Sequence, residues 1–117
     1  MNKPDGKTEI RTTTKQKGDA AEDRAQRNYR TPGRGGGEID LIVREGDGTL
    51  VFVEVRKRRN AQHGGALASV TSTKQRRIVF AARYFLLKLR QPPPCRFDVV
   101  AVEGEDLLWF KAAFEAQ

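Results

Sequence analysis

The sequence contains one cysteine, Cys95, and one histidine, His63. A single cysteine excludes a disulfide within the chain and a cysteine-based zinc site, and a single histidine in a glycine-containing loop does not favour a metal role. The first fifteen residues lack the apolar run of a signal peptide. The longest apolar stretch, 78–89, contains Arg83 and Lys88 and cannot span a bilayer. We therefore expect a cytoplasmic protein with no membrane partner.

What the chain has in excess is positive charge. It carries 22 Lys and Arg against 15 Asp and Glu, a formal net charge of +7 in 117 residues. This length fits one domain with one core. The excess favours a polyanionic partner, above all nucleic acid, although a basic surface can also serve solubility alone.

The pattern along the chain predicts an α/β domain with a mixed sheet flanked by helices. We assign residues 1–14 to a disordered basic tail and 15–117 to a single domain. The predicted elements follow in order: a helix over 15–27, a glycine-rich flexible loop over 31–37, a hairpin of strands 38–44 and 50–56, a basic loop over 57–65, a helix over 71–90, strands over 96–102 and 107–111, and a short helical tail.

The long helix is the clearest of the predicted helices. Apolar residues from Ile78 to Leu89 recur at helical spacing and form one face. Ser72, followed three residues later by Gln75, fits a capping box, and the three prolines from Pro92 stop the helix.

The hairpin predicts an unusual pair of acids. With a three-residue turn centred on Asp47, facing positions sum to 94 and Asp40 lies opposite Glu54. Their Cβ atoms would be about 4.5–5.5 Å apart. The same count pairs Glu38 with Arg56. Residues of the opposite parity, Val51 and Val53 among them, are apolar and are expected to face the core, leaving the acids on a separate face.

Two interpretations of these acids remain open. Facing carboxylates repel, and a hard divalent cation such as Mg²⁺ would offset that repulsion. Alternatively, Glu38, Asp40, Glu54 and Arg56 form a solvated ladder of cross-strand ion pairs, which open hairpin faces often carry. A register shifted by one residue would dissolve the pairing.

An ordered series of motifs resembles a known family. GGGEIDLIVREGDGTLVFVEVRKR (35–58), TSTKQRRI (71–78) and CRFDVVAV (95–102) resemble the bacterial YraN family of uncharacterised nuclease-like proteins. That family is similar to the restriction-endonuclease-like PD-(D/E)xK superfamily, which includes the archaeal Holliday junction resolvases. The resemblance runs from about Lys15 to the end of the chain.

The resemblance implies a set of site residues. Asp40 and Glu54 would bind Mg²⁺ or Mn²⁺, with the Val55 carbonyl as a third ligand. Glu22 matches an acid on the first helix, Arg56 takes the place of the superfamily lysine, and Lys74 would contact the scissile phosphate. One-metal or two-metal phosphodiester hydrolysis would follow.

The sequence departs from the family pattern at two places. Arg56 cannot lose its proton in a protein, so it cannot act as a general base, although it can clamp a phosphate. About a dozen residues that the family has before Asn28 are missing, so either the helix and first strand are shortened or a piece is absent from the chain.

Three functions remain open on the sequence alone. The first is a Mg²⁺-dependent endodeoxyribonuclease acting on structured or branched DNA, and the second a non-catalytic nucleic-acid-binding module. The third is an interaction domain for an acidic protein. A homodimer is left open. Nucleic acid is expected to contact a basic set that directly follows or faces the acids: Arg56, Lys57, Arg58, Arg59 and Lys74.

Overall fold

The computed structural model describes residues 9–13, 25–33, 36–57 and 65–116. The elements within these ranges are, in chain order, β1 (Glu9–Thr13), β2 (Ala25–Arg30), β3 (Glu38–Arg44), β4 (Leu50–Lys57), α1 (Gly65–Ser69), α2 (Ser72–Leu86), β5 (Cys95–Glu103) and β6 (Asp106–Phe114). None of the helices in the described ranges has the length and apolarity needed to cross a membrane.

The described strands form one mixed sheet in the order β1-β6-β5-β4-β3-β2. Strands β4 and β5 are parallel, and the other neighbours are antiparallel. The parallel pair requires a crossover, which α1 and α2 supply. The predicted α/β class with a mixed sheet is confirmed, and the arrangement is consistent with a restriction-endonuclease-like fold.

The predicted hairpin register is confirmed where β3 and β4 pair. Leu41 faces Val53 and Arg44 faces Leu50, so facing positions sum to 94. Asp47 stabilises the turn by accepting a hydrogen bond from the Thr49 amide at 2.9 Å. Gly48 has a φ of 94°, which glycine adopts without strain.

The prediction of a separate, unburied acidic face is wrong, because both faces of the sheet bury apolar residues. Val51 and Val53 lie in a smaller cluster with Trp109 on one face. Leu50 and Phe52 lie in the main core with the buried side of α2 on the other. Glu54 has the parity of Leu50 and Phe52, so it lies on the helix-covered face.

The N-cap of helix α2 lies one residue earlier than the capping-box pattern predicts. The N-cap is Thr71, whose side chain accepts a hydrogen bond from the Lys74 amide at 3.2 Å. The Gln75 side chain instead donates to the Val70 carbonyl at 3.1 Å. The helix ends at Leu86, four residues short of the predicted Arg90.

Three predicted elements near the chain ends differ in the structure. Part of the predicted basic tail forms β1, because the outer edge of β6 offers unpaired backbone groups to Glu9–Thr13. Residues 25–27 of the predicted first helix lie in β2, where pairing with β3 overrides local helix propensity; residues 14–24 are outside the described ranges. The predicted helical tail is absent over 111–114, since β6 continues to Phe114.

Replacing Thr71 with alanine tests the observed cap against the predicted one. We expect Thr71→Ala to lower the free energy of unfolding by about 1 kcal/mol, because the Lys74 amide loses its acceptor. Ser72→Ala, inside the first turn, is the matched control and should change stability by only a few tenths of that. Urea unfolding measures both variants, and a larger loss in Ser72→Ala would restore the predicted capping box.

Candidate functional site

The acidic pair, Asp40 and Glu54, lies where β3 and β4 stop pairing. The last paired residues at this end are Leu41 and Val53. Beyond this last pair, the Val55 amide donates to Oδ2 of Asp40 at 2.8 Å. A carboxylate from β3 thus accepts an amide of β4, and the Asp40 side chain is held beside Glu54.

Glu54 is buried, and its charged form is disfavoured. Its side chain is 3% exposed. Burial raises the pKa of Glu54, and the nearby Asp40 carboxyl, within hydrogen-bonding reach, raises it further. Lys74 and Arg56 lower it, but by less. The acidic pair therefore favours taking up a positive species, either a proton or a metal cation.

Two basic side chains contact the pair through the same oxygen. Arg56 Nη1 lies 3.2 Å and Lys74 Nζ lies 3.5 Å from Oε2 of Glu54. Arg56 comes from the same strand face and Lys74 from the first turn of α2. The structure therefore brings four of the predicted site residues together.

A residue that the sequence analysis did not identify positions Arg56. Ser69, the last residue of α1, accepts a hydrogen bond from Arg56 Nε at 3.0 Å and donates to the Ala66 carbonyl at 2.6 Å. Because α1 has five residues, no helical periodicity marks it in the sequence. The guanidinium of Arg56 is thereby held between Ser69 and Glu54.

The described residues near the pair offer few metal ligands, but carboxylates suit a hard cation. No group of three or more His, Cys, Asp or Glu side chains with metal-site geometry occurs in the part of the chain that the structure describes. Magnesium commonly takes one or two carboxylates and completes its shell with water. Two carboxylates with a raised pKa at Glu54 fit that pattern. Val55, the third predicted ligand, is 36% exposed beside the pair.

Two residues that the sequence analysis named, Glu38 and Lys57, do not contact the pair. Glu38 forms an ion pair with Arg30 of β2 at 3.1 Å, so the predicted Glu38–Arg56 pairing and the solvated ladder are not observed. Lys57 is exposed, and strand alternation points it away from Glu54. The three others, Glu22, Arg58 and Arg59, lie outside the described residues.

A second buried carboxylate, Asp98, has a structural environment. It is fully buried and accepts hydrogen bonds from Trp109 Nε1 at 2.7 Å and the Ala112 amide at 2.9 Å. Arg96 contacts Asp98 at 3.1 Å and Glu45 at 2.8 Å. Arg96 and Asp98, two residues apart on β5, thus form a structural ion pair.

The mixed sheet and its acidic pair are consistent with the class of restriction-endonuclease-like proteins. The chain belongs to the uncharacterised protein family UPF0102, whose model matches residues 23–102. The resemblance to the YraN family is thereby confirmed.

Curated relatives carry the same family description. A UPF0102 protein of Albidiferax ferrireducens is 62% identical over 125 residues, with 97% of each chain covered. One of Paracidovorax citrulli is 58% identical, covering 91% of this chain and 87% of the relative. Since 125 aligned positions exceed the 117 residues of this chain by eight, the first relative has residues that this chain lacks.

The raised pKa of Glu54 predicts that Glu54→Gln stabilises the cation-free protein at neutral pH. The unfolded chain loses this proton near the ordinary glutamate pKa, whereas the folded chain retains it to higher pH. Wild-type stability should therefore fall as pH rises from that ordinary value to the raised one, while the variant escapes the loss.

Thermal unfolding at pH 4 and pH 8 with chelator measures this difference. The gain in melting temperature should be larger at pH 8, and Glu115→Gln, at an exposed position, should show no such change. A Glu54→Gln protein less stable than wild type at pH 8 would mean that Lys74 and Arg56 outweigh Asp40.

Proposed function

We propose that this protein is a divalent-cation-dependent endonuclease-like phosphodiesterase that acts on structured or branched DNA. The observation that carries the proposal is the pairing of buried Glu54 with half-buried Asp40, in hydrogen-bonding reach of each other and flanked by Lys74 and Arg56. Mg²⁺ or Mn²⁺ would be the cofactor. The net charge of +7 supports a polyanionic substrate.

Asp40 and Glu54 would hold the cation. Burial and then the nearby Asp40 carboxyl raise the pKa of Glu54, and a bound divalent cation would offset both effects. A bound divalent ion would polarise a phosphodiester oxygen and lower the pKa of a coordinated water. The Asp40 carboxylate is already oriented by the Val55 amide, so little ordering would be needed on binding.

Lys74 and Arg56 would hold the phosphate rather than move protons. Arg56 cannot act as a general base, and its Ser69 and Glu54 contacts fix its guanidinium in one orientation. Lys74 is partly exposed and approaches Glu54 from the helix side, so it can contact an anion placed over the acidic pair. Both side chains would stabilise charge that develops on the phosphodiester.

A second candidate function is a non-catalytic nucleic-acid-binding module. The specific observation favouring it is arginine at position 56, where the superfamily pattern has lysine. In that case the acidic pair would bind a cation or a proton without hydrolysis. An interaction domain for an acidic protein is the third function that the sequence leaves open.

Cation binding can be measured without an activity assay, because a bound cation stabilises the folded protein. Mg²⁺ or Mn²⁺ at a hundred times its dissociation constant should stabilise the wild-type fold by about 2.7 kcal/mol. Asp40→Asn should lose most of this gain, whereas Glu38→Gln, on the same strand but paired with Arg30, should keep it. Equal cation stabilisation of all three proteins would place the cation elsewhere.

Cleavage tests the catalytic proposal. Purified protein with Mg²⁺ or Mn²⁺ should cleave junction or flap DNA in preference to plain duplex. Asp40→Asn should reduce the rate by more than the 10–100-fold typical of groups that only support a metal ligand. Glu38→Gln should cleave at nearly the wild-type rate.

DNA-binding measurements on the same purified proteins distinguish the second and third candidate functions from the first. Salt-sensitive DNA binding without cleavage in either metal would favour the non-catalytic module. Absence of salt-sensitive DNA binding would favour the interaction domain.

A further inference from the structure

A cleft opens next to the acidic pair, between the β2–β3 turn and the first two turns of α2. Its volume is about 290 Å³, far more than one water molecule occupies. Lys74 and Arg77 form its helix wall, and Arg30 with the described glycines of the turn forms the other. We call it the glycine cleft. Lys74 also contacts Glu54, so the cleft and the acidic pair share one wall.

The glycine wall is a packed surface. The Thr31 amide and hydroxyl both donate to the Gly37 carbonyl, at 3.1 and 3.3 Å. A side chain at Gly37 would overlap the Arg77 carbonyl oxygen, and one at Gly36 would overlap the Thr31 hydroxyl. The turn therefore lies directly against α2, because protein atoms fill the space that side chains at Gly36 and Gly37 would need.

The basic side chains around the glycine cleft differ in whether an acidic side chain pairs with them. Arg30 is paired with Glu38, and Lys74 is paired with Glu54. Arg77 lines the cleft, and its side chain makes no hydrogen bond or ion pair with any residue in the described ranges. The guanidinium of Arg77 is therefore the charged group of this cleft that is available to bind an external anion.

We propose that the glycine cleft binds a backbone phosphate of a nucleic-acid strand, with Arg77 as its principal ligand. This phosphate would be next to the one placed at the acidic pair, since Lys74 borders both positions. The inference rests on the proposed function for its choice of nucleic acid as the source of the phosphate. It assigns a role to a residue that the sequence analysis left among the charges of a helix.

Arginine is the residue type that such a contact needs. A guanidinium can donate two parallel hydrogen bonds to phosphate oxygens, which fixes orientation as well as charge. Contacts to the backbone position the strand without reading its sequence. The glycine cleft would therefore set how the strand crosses the acidic pair and would show no preference among bases.

The neighbouring arginine supplies a matched control. Arg76 lies on the same helix and carries the same charge, but it lines a different pocket with Phe80 and donates to Thr73. Arg77→Gln and Arg76→Gln therefore lower the net charge equally. A charge-preserving variant, Arg77→Lys, keeps the attraction but loses the paired donors.

Binding of a labelled oligonucleotide, measured by fluorescence anisotropy across a salt series with chelator present, tests the proposal. Arg77→Gln should weaken binding about tenfold and reduce the salt slope by about one. Arg76→Gln should have a much smaller effect, and Arg77→Lys should be intermediate. Equal effects of Arg77→Gln and Arg76→Gln would overturn the proposal, with melting temperatures confirming that both variants are folded.

Competition by inorganic phosphate distinguishes a strand-binding cleft from a site for the free anion. Inorganic phosphate should displace the oligonucleotide only weakly; if it binds as tightly, the glycine cleft is a site for free phosphate and the proposal is wrong. Failure of cleavage would leave the binding comparison intact, because chelator is present throughout. Conversely, suppose that cleavage depends on Asp40 but Arg77→Gln and Arg76→Gln weaken DNA binding equally. This result would overturn the proposed phosphate site and keep the proposed function.

Discussion

The approach of two carboxyl groups under a helix is the constraint on which the rest of the site depends. Asp40 and Glu54 meet where the β3–β4 ladder ends, on the face that α2 covers. Their repulsion is partly offset by Lys74 of α2 and by Arg56, which lies two residues after Glu54 on β4. The N-cap of α2 and the end of α1 each place one of these cations. The local architecture therefore serves to surround the acids with positive charge.

The two buried carboxylates of the described structure, Asp98 and Glu54, have opposite electrostatic environments. Asp98 accepts hydrogen bonds from an arginine, an indole and a backbone amide, so its oxygens are satisfied by neutral and charged donors. Glu54 has two cations on one oxygen and another acid as its neighbour, and its pKa is raised. A group needed only for stability is expected to resemble Asp98. The unfavourable environment of Glu54 points instead to ligand binding.

Local patterns predicted the parts of this fold that local interactions determine. The hairpin register followed from the turn around Asp47, and α2 followed from its apolar spacing and the prolines beyond it. Long-range pairing was not predictable in this way: β1 depends on the edge of β6, and Ala25–Arg30 is a strand because β3 lies beside it. The acidic pair was predicted from the register, whereas Ser69 was missed because its role depends on a crossover that only the folded sheet creates.

The one incorrect inference about the hairpin faces strengthens the case for a cation. On an open face, two acids at this spacing would be screened by water and would cost little. On the helix-covered face, Glu54 is desolvated and Asp40 is half-buried, so their repulsion is felt at a lower effective dielectric constant. Arg56 cannot relieve this by exchanging a proton, since its guanidinium stays charged. In the proposed reaction Arg56 therefore cannot take a proton from the attacking water, and a bound cation, by lowering the pKa of that water, would supply activation that this arginine does not.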